Sequence, residues 1–336
     1  MEFFLTGGTG LLGTYFLIQA LEQGHGVTAI YRNEKSIELS KKIFALQGTQ
    51  IVEKFSKIDW VQANLLNPLE LDELILPHHT VVHCAGMVSF LPSDEQEMYK
   101  SNFVGTQNLV NVCIEKGVKK FIHISSVSTL CKEEEIRDET SFQRPAKEAG
   151  FYGKSKYLAE MEVWRGMQEG LNACVLSPSI ILGAHDWNKG SSKMFGVAHQ
   201  GLLFYTLGKT GFIDVNDVAK AILIVAETQT KQKRYCLNAE NIYYKDFFEN
   251  LHLAFGKPMP KYKAGKFLTS LYWRLQWLKS KITNSAPLVT KESASTAHSI
   301  RLFNGDRFAE EFSFSYTPIN KSVASIVKKY NALKFN

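Results

Sequence analysis

A tyrosine and a lysine four residues apart, Tyr152 and Lys156 in Tyr152-Gly153-Lys154-Ser155-Lys156, share one face of any helix that spans them. Upstream, the apolar run Phe121-Ile122-His123-Ile124 ends on Ser125-Ser126. If that run is a parallel strand, the serines stand at its C-terminal end, where open α/β sheets bind their ligands. A phenol, an ammonium and a hydroxyl together suit hydride transfer at a carbonyl carbon. The oxygen gains charge as hydride reaches carbon, so it needs a proton donor. A phenol of pKa about 10 becomes a better one when a neighbouring ammonium lowers that value. Tyr152 is the expected acid and Lys156 the charge beside it. Ser126 is the hydroxyl expected to fix the reacting oxygen, with Ser125 as the fallback.

Such chemistry needs a hydride carrier, and the first residues provide a place for one. Thr6-Gly7-Gly8-Thr9-Gly10-Leu11-Leu12-Gly13 contains Gly8-x-Gly10-x-x-Gly13 and Gly7-x-x-Gly10-x-x-Gly13, directly after the apolar run Phe3–Thr6. Glycines there let the backbone turn and approach a pyrophosphate, and the helix that follows offers free N–H donors. At the end of the second apolar run a carboxylate would bond the ribose 2′-hydroxyl of NAD. Tyr31-Arg32-Asn33 stands there instead, and the Arg32 guanidinium suits a 2′-phosphate. The expected cofactor is NADP(H), with NAD(H) less favoured.

These residues are positioned by alternating elements. Phe3–Thr6, Val27–Tyr31, Val81–Cys84, Phe121–Ile124 and Ala173–Leu176 read as strands, separated by segments that can be helical: Leu11–Leu21, Glu95–Lys116 and Tyr152–Gln168. That pattern predicts an α/β fold, a Rossmann-type doubly wound parallel sheet. After about residue 180 the alternation breaks, except for a helix at Val218–Glu227 and a strand at Arg234–Leu237. The expected division is therefore interleaved. Residues 1–178 and 211–238 form the NADP-binding domain, and residues 179–210 and 239–336 form the substrate domain. The strand histidines His83 and His123 read as packed structural residues, and Asp217 as a helix-start carboxylate that ties the domains together.

The 336 residues, 45% hydrophobic and 21% charged, are ordinary globular material. Cys84, Cys113, Cys131, Cys174 and Cys236 are scattered, with no zinc-ligand spacing, so reduced thiols and no metal are expected. The glycine loop leaves no room for a signal peptide ahead of it, and a cytoplasmic protein is expected. No apolar run reaches the length of a membrane span. The net charge of +6 is uneven: Lys257, Lys261, Lys263, Lys266, Arg274, Lys279 and Lys281 occur in one stretch without an acidic residue. Within it Lys266–Ile282 can form a basic, aromatic-rich amphipathic helix, open to peripheral membrane contact. One short helix without a recognition module is too small a footprint for nucleic acid.

The combination of TGGTGLLG, NFVGTQNL, FIHISSVS and YGKSK resembles the extended short-chain dehydrogenase/reductases, the NAD-dependent epimerase/dehydratase family, over roughly residues 1–240. The resemblance implies Tyr152 and Lys156 as the family's tyrosine and lysine, Ser126 as its serine, and Asn102 as the asparagine that organises the active-site helix. It further implies that Asn64-Leu65, Cys84-Ala85-Gly86 and Pro178-Ser179 lie along the cofactor. Two positions depart from the pattern: Asn64 replaces an acidic residue, and Ser177 replaces an arginine. The family's dehydratases carry an acidic pair after the serine, where this chain has Val127-Ser128-Thr129-Leu130. Its epimerases carry Tyr-Gly where this chain has Leu130-Cys131. The wording HCAGMVSF and SNFVGTQNLV is similar to the dihydroflavonol reductase-like and 3β-hydroxysteroid dehydrogenase-like branch, which implies an apolar ketone, aldehyde or alcohol as substrate and a homodimer as assembly. A nucleotide-sugar epimerase or dehydratase, and a non-catalytic dinucleotide sensor, are the alternatives. Phe195, Phe204, Tyr205, Phe267, Trp273 and Trp277 are expected to line an apolar pocket, with Met87–Pro92 as its near wall.

Overall fold

The computed structural model describes residues 1–130, 135–141, 150–283, 287 and 289–334. Cys131 lies outside them. Seven parallel strands form the main sheet: β1 (Glu2–Thr6), β2 (Gly26–Tyr31), β3 (Asp59–Gln62), β4 (Thr80–His83), β5 (Lys120–Ile124), β6 (Ala173–Pro178) and β7 (Arg234–Leu237). Their spatial order is β7-β6-β5-β4-β1-β2-β3, so the winding reverses between β1 and β4. This is the doubly wound sheet expected from the alternation, and the reversal opens the crevice in which such sheets bind ligands. The strand β3 had no counterpart among the expected ones.

Strand pleating divides the apolar residues between two faces. Phe3 and Leu5 enter one core with Val82, Ile122 and Leu176, and Phe4 enters the opposite one with Val81, Phe121 and Val175. Helix α1 (Leu11–Glu22) is buried from Leu12 to Leu21, because it lies on the sheet with the helices Val215–Glu227 and Lys35–Ala45 packed along it. That explains its weakly amphipathic sequence: a helix covered on both sides needs no polar stripe. The region expected as one helix, Glu95–Lys116, instead contains a wide-wound turn at Tyr99–Val104 before α2 (Gly105–Lys116). Such insertions occur often at functional sites. Helix α3 (Phe151–Gln168) follows the expected Tyr–Lys helix closely.

The smaller region has its own core around Phe195, Phe212, Phe247 and Val323, and a three-stranded sheet of Ile180–Leu182, Lys209–Asp214 and Glu240–Tyr243. Residues 211–214 thus pair within the small sheet, and the chain rejoins the main core at Ile213 and Val215. Asp217, in the first turn of the helix Val215–Glu227, accepts the Thr317 N–H at 2.6 Å and the Thr317 hydroxyl at 2.9 Å. It fastens the C-terminal segment to the helix that packs on α1.

Candidate active site

Four elements converge at the C-terminal ends of β4 and β5. Strand β5 delivers Ser125 and Ser126, and α3 delivers Tyr152, Ser155 and Lys156. The wide turn delivers Asn102, which is almost completely buried. Its side chain accepts the Met87 N–H at 2.6 Å and donates to the Met87 carbonyl and to Ser155 Oγ, both at 2.9 Å. Ser155 in turn donates to the Tyr152 carbonyl at 2.8 Å. Asn102 therefore couples the Gly86–Met87 segment to the first turn of α3. A Cβ on Gly86 would lie 3.7 Å from Asn102 Oδ1 and 3.8 Å from Lys156 Nζ, so this glycine sits between the two groups.

The two serines have separate duties. Ser126 Oγ accepts the Ser128 N–H at 3.1 Å, which leaves its own proton to donate, and it lies against the Tyr152 phenol. Ser125 Oγ instead donates to the Glu160 carboxylate. Burial pushes the Tyr152 phenol up, and the Ser126 hydroxyl acts against that rise. The Lys156 ammonium donates to the Ile124 carbonyl at 2.6 Å, and burial lowers it to about 8, with Glu160 and Cys84 pulling it back up. The influences on the phenol in this arrangement are burial and the Ser126 hydroxyl; the expected lowering by Lys156 is not among them.

Beneath the site lies a network the sequence reading missed. Glu160 is fully buried and takes Arg234 Nη1 at 2.9 Å, the Thr129 hydroxyl at 2.9 Å and Trp164 Nε1 at 3.2 Å, as well as Ser125. Arg234, on β7, continues to the Glu139 carbonyl at 3.0 Å. One signal was available: Glu160 lies four residues beyond Lys156, on the helix face that also carries Gly153 and Val163. His83 is held between Thr6 Oγ1 at 2.6 Å and Thr106 Oγ1 at 2.8 Å, and burial lowers it to about 3. His123 is buried beside it and also lowered by burial. Both are structural, as read from sequence.

The glycine loop is built for close approach. Gly7 has φ +73°, and a Cβ there would fall 2.6 Å from Ala85 N, locking the loop against Cys84 and Ala85. A Cβ on Gly13 would fall 2.1 Å from the Gly7 carbonyl oxygen, so only glycine lets α1 start so near the turn. Gly10 caps α1 with no side-chain partner, leaving the N–H groups of Leu11 and Leu12 at the helix start beside Thr9. Tyr31 ends β2 and Arg32 follows it, exposed. Asn64 is exposed and gives its N–H to Glu70 at 2.7 Å, while the Leu65 carbonyl accepts Asn108 at 3.0 Å. Pro178 ends β6, and the buried Ser177 and Ser179 hydroxyls find no hydrogen-bond partner among the described residues. A cradle that any Cβ would fill, a free helix start and orphaned hydroxyls at a neighbouring strand end fit a dinucleotide laid across the β1–β4 reversal.

The expected pocket wall divides. Phe90 meets the Tyr152 ring edge-on at 6.4 Å, which places Met87–Pro92 beside the phenol. Phe195, however, is a core residue of the small region, and Phe267 and Trp277 face outward, so these three do not line a pocket. Of the apolar residues that α2 and α3 could offer to a second copy, Leu109 and Val112 are buried in the chain's own core. Leu158, Met161 and Trp164 are half-buried.

The NAD-dependent epimerase/dehydratase family model matches residues 3–237. A Synechocystis sp. protein provisionally named a dihydroflavonol 4-reductase is 26% identical, with 97% of this chain and 93% of that one covered. A sterol-4-alpha-carboxylate 3-dehydrogenase from Dictyostelium discoideum is 25% identical over 86% and 88%. Among solved structures, the UDP-glucose 4-epimerase of Thermotoga maritima superposes with a TM-score of 0.74 at 18% identity, over 99% and 100% of the two chains. The named dehydrogenase and reductase relatives bear out the NAD(P)-dependent oxidoreductase class, while the fold is shared with epimerases. By the matched family model, this chain belongs to the NAD-dependent epimerase/dehydratase family, the extended short-chain dehydrogenase/reductases.

Proposed function

We propose that this protein is a cytoplasmic NADP(H)-dependent oxidoreductase acting on an apolar ketone or aldehyde, or the corresponding alcohol, through Ser126, Tyr152 and Lys156. The reading rests on one observation above the others: Ser126 lies against the Tyr152 phenol as its hydrogen-bond partner, on the frame that Asn102 builds. When bound, the dinucleotide supplies or accepts the hydride. Ser126 orients the reacting oxygen, and Tyr152 gives it a proton as charge develops there. The Lys156 ammonium favours the phenolate left behind. Gly7, Thr9, Gly10, Leu11, Leu12 and Gly13 would hold the pyrophosphate, and Pro178 and Ser179 would meet the nicotinamide end.

An elimination needs a mobile acid next to the serine. Val127–Leu130 carries none, and Glu160, packed under that turn, is buried and bonded to Arg234, Ser125 and Thr129. This supports the reductase reading over a dehydratase one. Arg32, exposed after β2 where NAD-binding chains place a carboxylate, supports NADP. Phe90, next to the phenol and itself exposed, supports an apolar substrate. The half-buried Leu158, Met161 and Trp164 on α3 support a homodimer through that helix.

Purified protein supplied with NADPH or NADH and a panel of hydrophobic ketones, aldehydes and nucleotide sugars tests the reading. Faster oxidation of NADPH with the hydrophobic carbonyls is expected. Conversion of a nucleotide sugar without net cofactor use, and no turnover of the carbonyls, overturns it. Arg32→Asp should shift the NADPH-to-NADH affinity ratio toward NADH by roughly 10- to 100-fold, the worth of a charged hydrogen-bond pair. An unchanged ratio would remove Arg32 from the cofactor site.

A further inference from the structure

The helix α4 (Lys266–Thr283) turns its apolar face away from the protein. Thr269, Ser270, Trp273, Gln276 and Ser280 are its half-buried residues among those described. The first three face the helix Lys291–Thr296 and the segment after it, where Thr269 Oγ1 meets His298 Nε2 at 2.8 Å. Apart from Trp273, the face that touches protein is polar. Phe267, Leu271, Leu275 and Leu278 follow one another at helical spacing about 180° around the helix from Thr269 and Gln276. All four are exposed, Phe267 to 84%, and Tyr272 and Trp277 flank them, also exposed. A helix resting on a core buries its apolar stripe. This one presents it to the surroundings.

The charge around that stripe selects what covers it. From Lys257 to Lys281 the sequence has seven cations and no carboxylate. A second copy docking by the same face would bring two wholly cationic stretches together, which opposes self-association through it. An anionic surface is complementary. The stripe stands out from the molecule instead of lining a cleft, and aromatic rings edged by lysine and arginine stems are the composition of helices that lie in a lipid headgroup layer. No helix of the described residues is long and apolar enough to cross a membrane, so the contact is one of lying on the surface.

We propose that Lys266–Thr283 docks the protein onto an anionic lipid surface, with Phe267, Leu271, Leu275 and Leu278 at the headgroup–acyl boundary and the cations against lipid phosphates. The inference does not depend on the substrate reading above. Co-sedimentation of the full chain with vesicles tests it, using phosphatidylcholine alone or mixed with phosphatidylglycerol. Binding to the mixed vesicles, little binding to phosphatidylcholine alone, and release at high salt are expected. Lys266→Glu, Arg274→Glu and Lys279→Glu combined should weaken vesicle binding on the order of a hundredfold or more, at about a fivefold loss for each cation removed. Phe267→Ser with Leu271→Ser should abolish binding, with unchanged circular dichroism and unchanged turnover of a water-soluble carbonyl. Absence of wild-type binding to the mixed vesicles, equal binding to both vesicle types, or binding that survives both variants overturns the proposal. So does wild-type self-association that the serine variant dissolves, which would assign the face to a second copy.

Discussion

Two helices of eighteen residues each, α3 and α4, distribute polarity in opposite ways. Helix α3 buries Ser155, Lys156 and Glu160, groups that ordinarily seek water, and α4 exposes Phe267, Leu271 and Leu275, which ordinarily avoid it. In α3 every buried polar group has a partner brought by another element: Ile124 for Lys156, Arg234 and Ser125 for Glu160, Asn102 for Ser155. Burial is tolerable there because desolvation is offset by charge-assisted hydrogen bonds, and the low dielectric makes these groups responsive to one another. In α4 no element of the described residues covers the apolar stripe. The first helix is organised inward for chemistry, and the second outward for a surface.

The largest expected effect comes from removing one hydroxyl from α3. Tyr152→Phe should lower kcat by about 10²- to 10⁴-fold, the usual worth of a positioned acid, while cofactor affinity and the far-ultraviolet spectrum stay unchanged. Retention of most of the activity would mean that the buried face of α3 is structural only.

Arg234→Met strikes the same face from outside the helix. It strands the Glu160 carboxylate in the interior, and urea unfolding should show a loss of about 3–5 kcal/mol. A loss under about 1 kcal/mol, the range of exposed pairs, would erase the distinction between this network and a surface ion pair.

A gentler probe is pH. Burial lowers Lys156 to about 8, and Cys84 and Glu160 oppose that fall while His83 and His123 lie close by. The ammonium is lost as pH rises through that value, so turnover should decline above about pH 8. Glu160→Gln removes one upward pull and should move the descending limb to lower pH; an unmoved limb would show that the two groups are uncoupled. Stability has the opposite sign. Between about 8 and 10.5 the native lysine has released its proton and the unfolded one has not, so stability contributed by this group rises with pH across that window.

The smallest expected effect belongs to α4. Leu271→Ser and Leu275→Ser should each change stability by no more than about 0.5 kcal/mol, because neither side chain loses a core contact. A melting temperature that drops strongly would mean that the stripe is buried in solution, and the contrast between the two helices would collapse.

Much of this site was legible in the sequence because its signals are local. Strand runs, the glycine loop and the four-residue spacing of Tyr152 and Lys156 are set by backbone geometry over a few residues, and β1, β2, α1 and α3 appear within a residue or so of their expected ends. Gly7 and Gly13 could be singled out because the conformation and the close approach they allow belong to glycine alone. Other features came only with tertiary structure. Ser125 and Ser126 are neighbours in sequence, yet one is committed to Glu160 and the other faces Tyr152. Glu160 acquires its meaning from Arg234, which stands 74 residues away. Phe195 and Phe267 look alike as letters, and only the packing makes one a core residue and the other fully outward. The physical reason is common to these cases. A side chain's type fixes what it can bond or bury, but the energy of doing so depends on partners and solvent that distant segments supply or exclude.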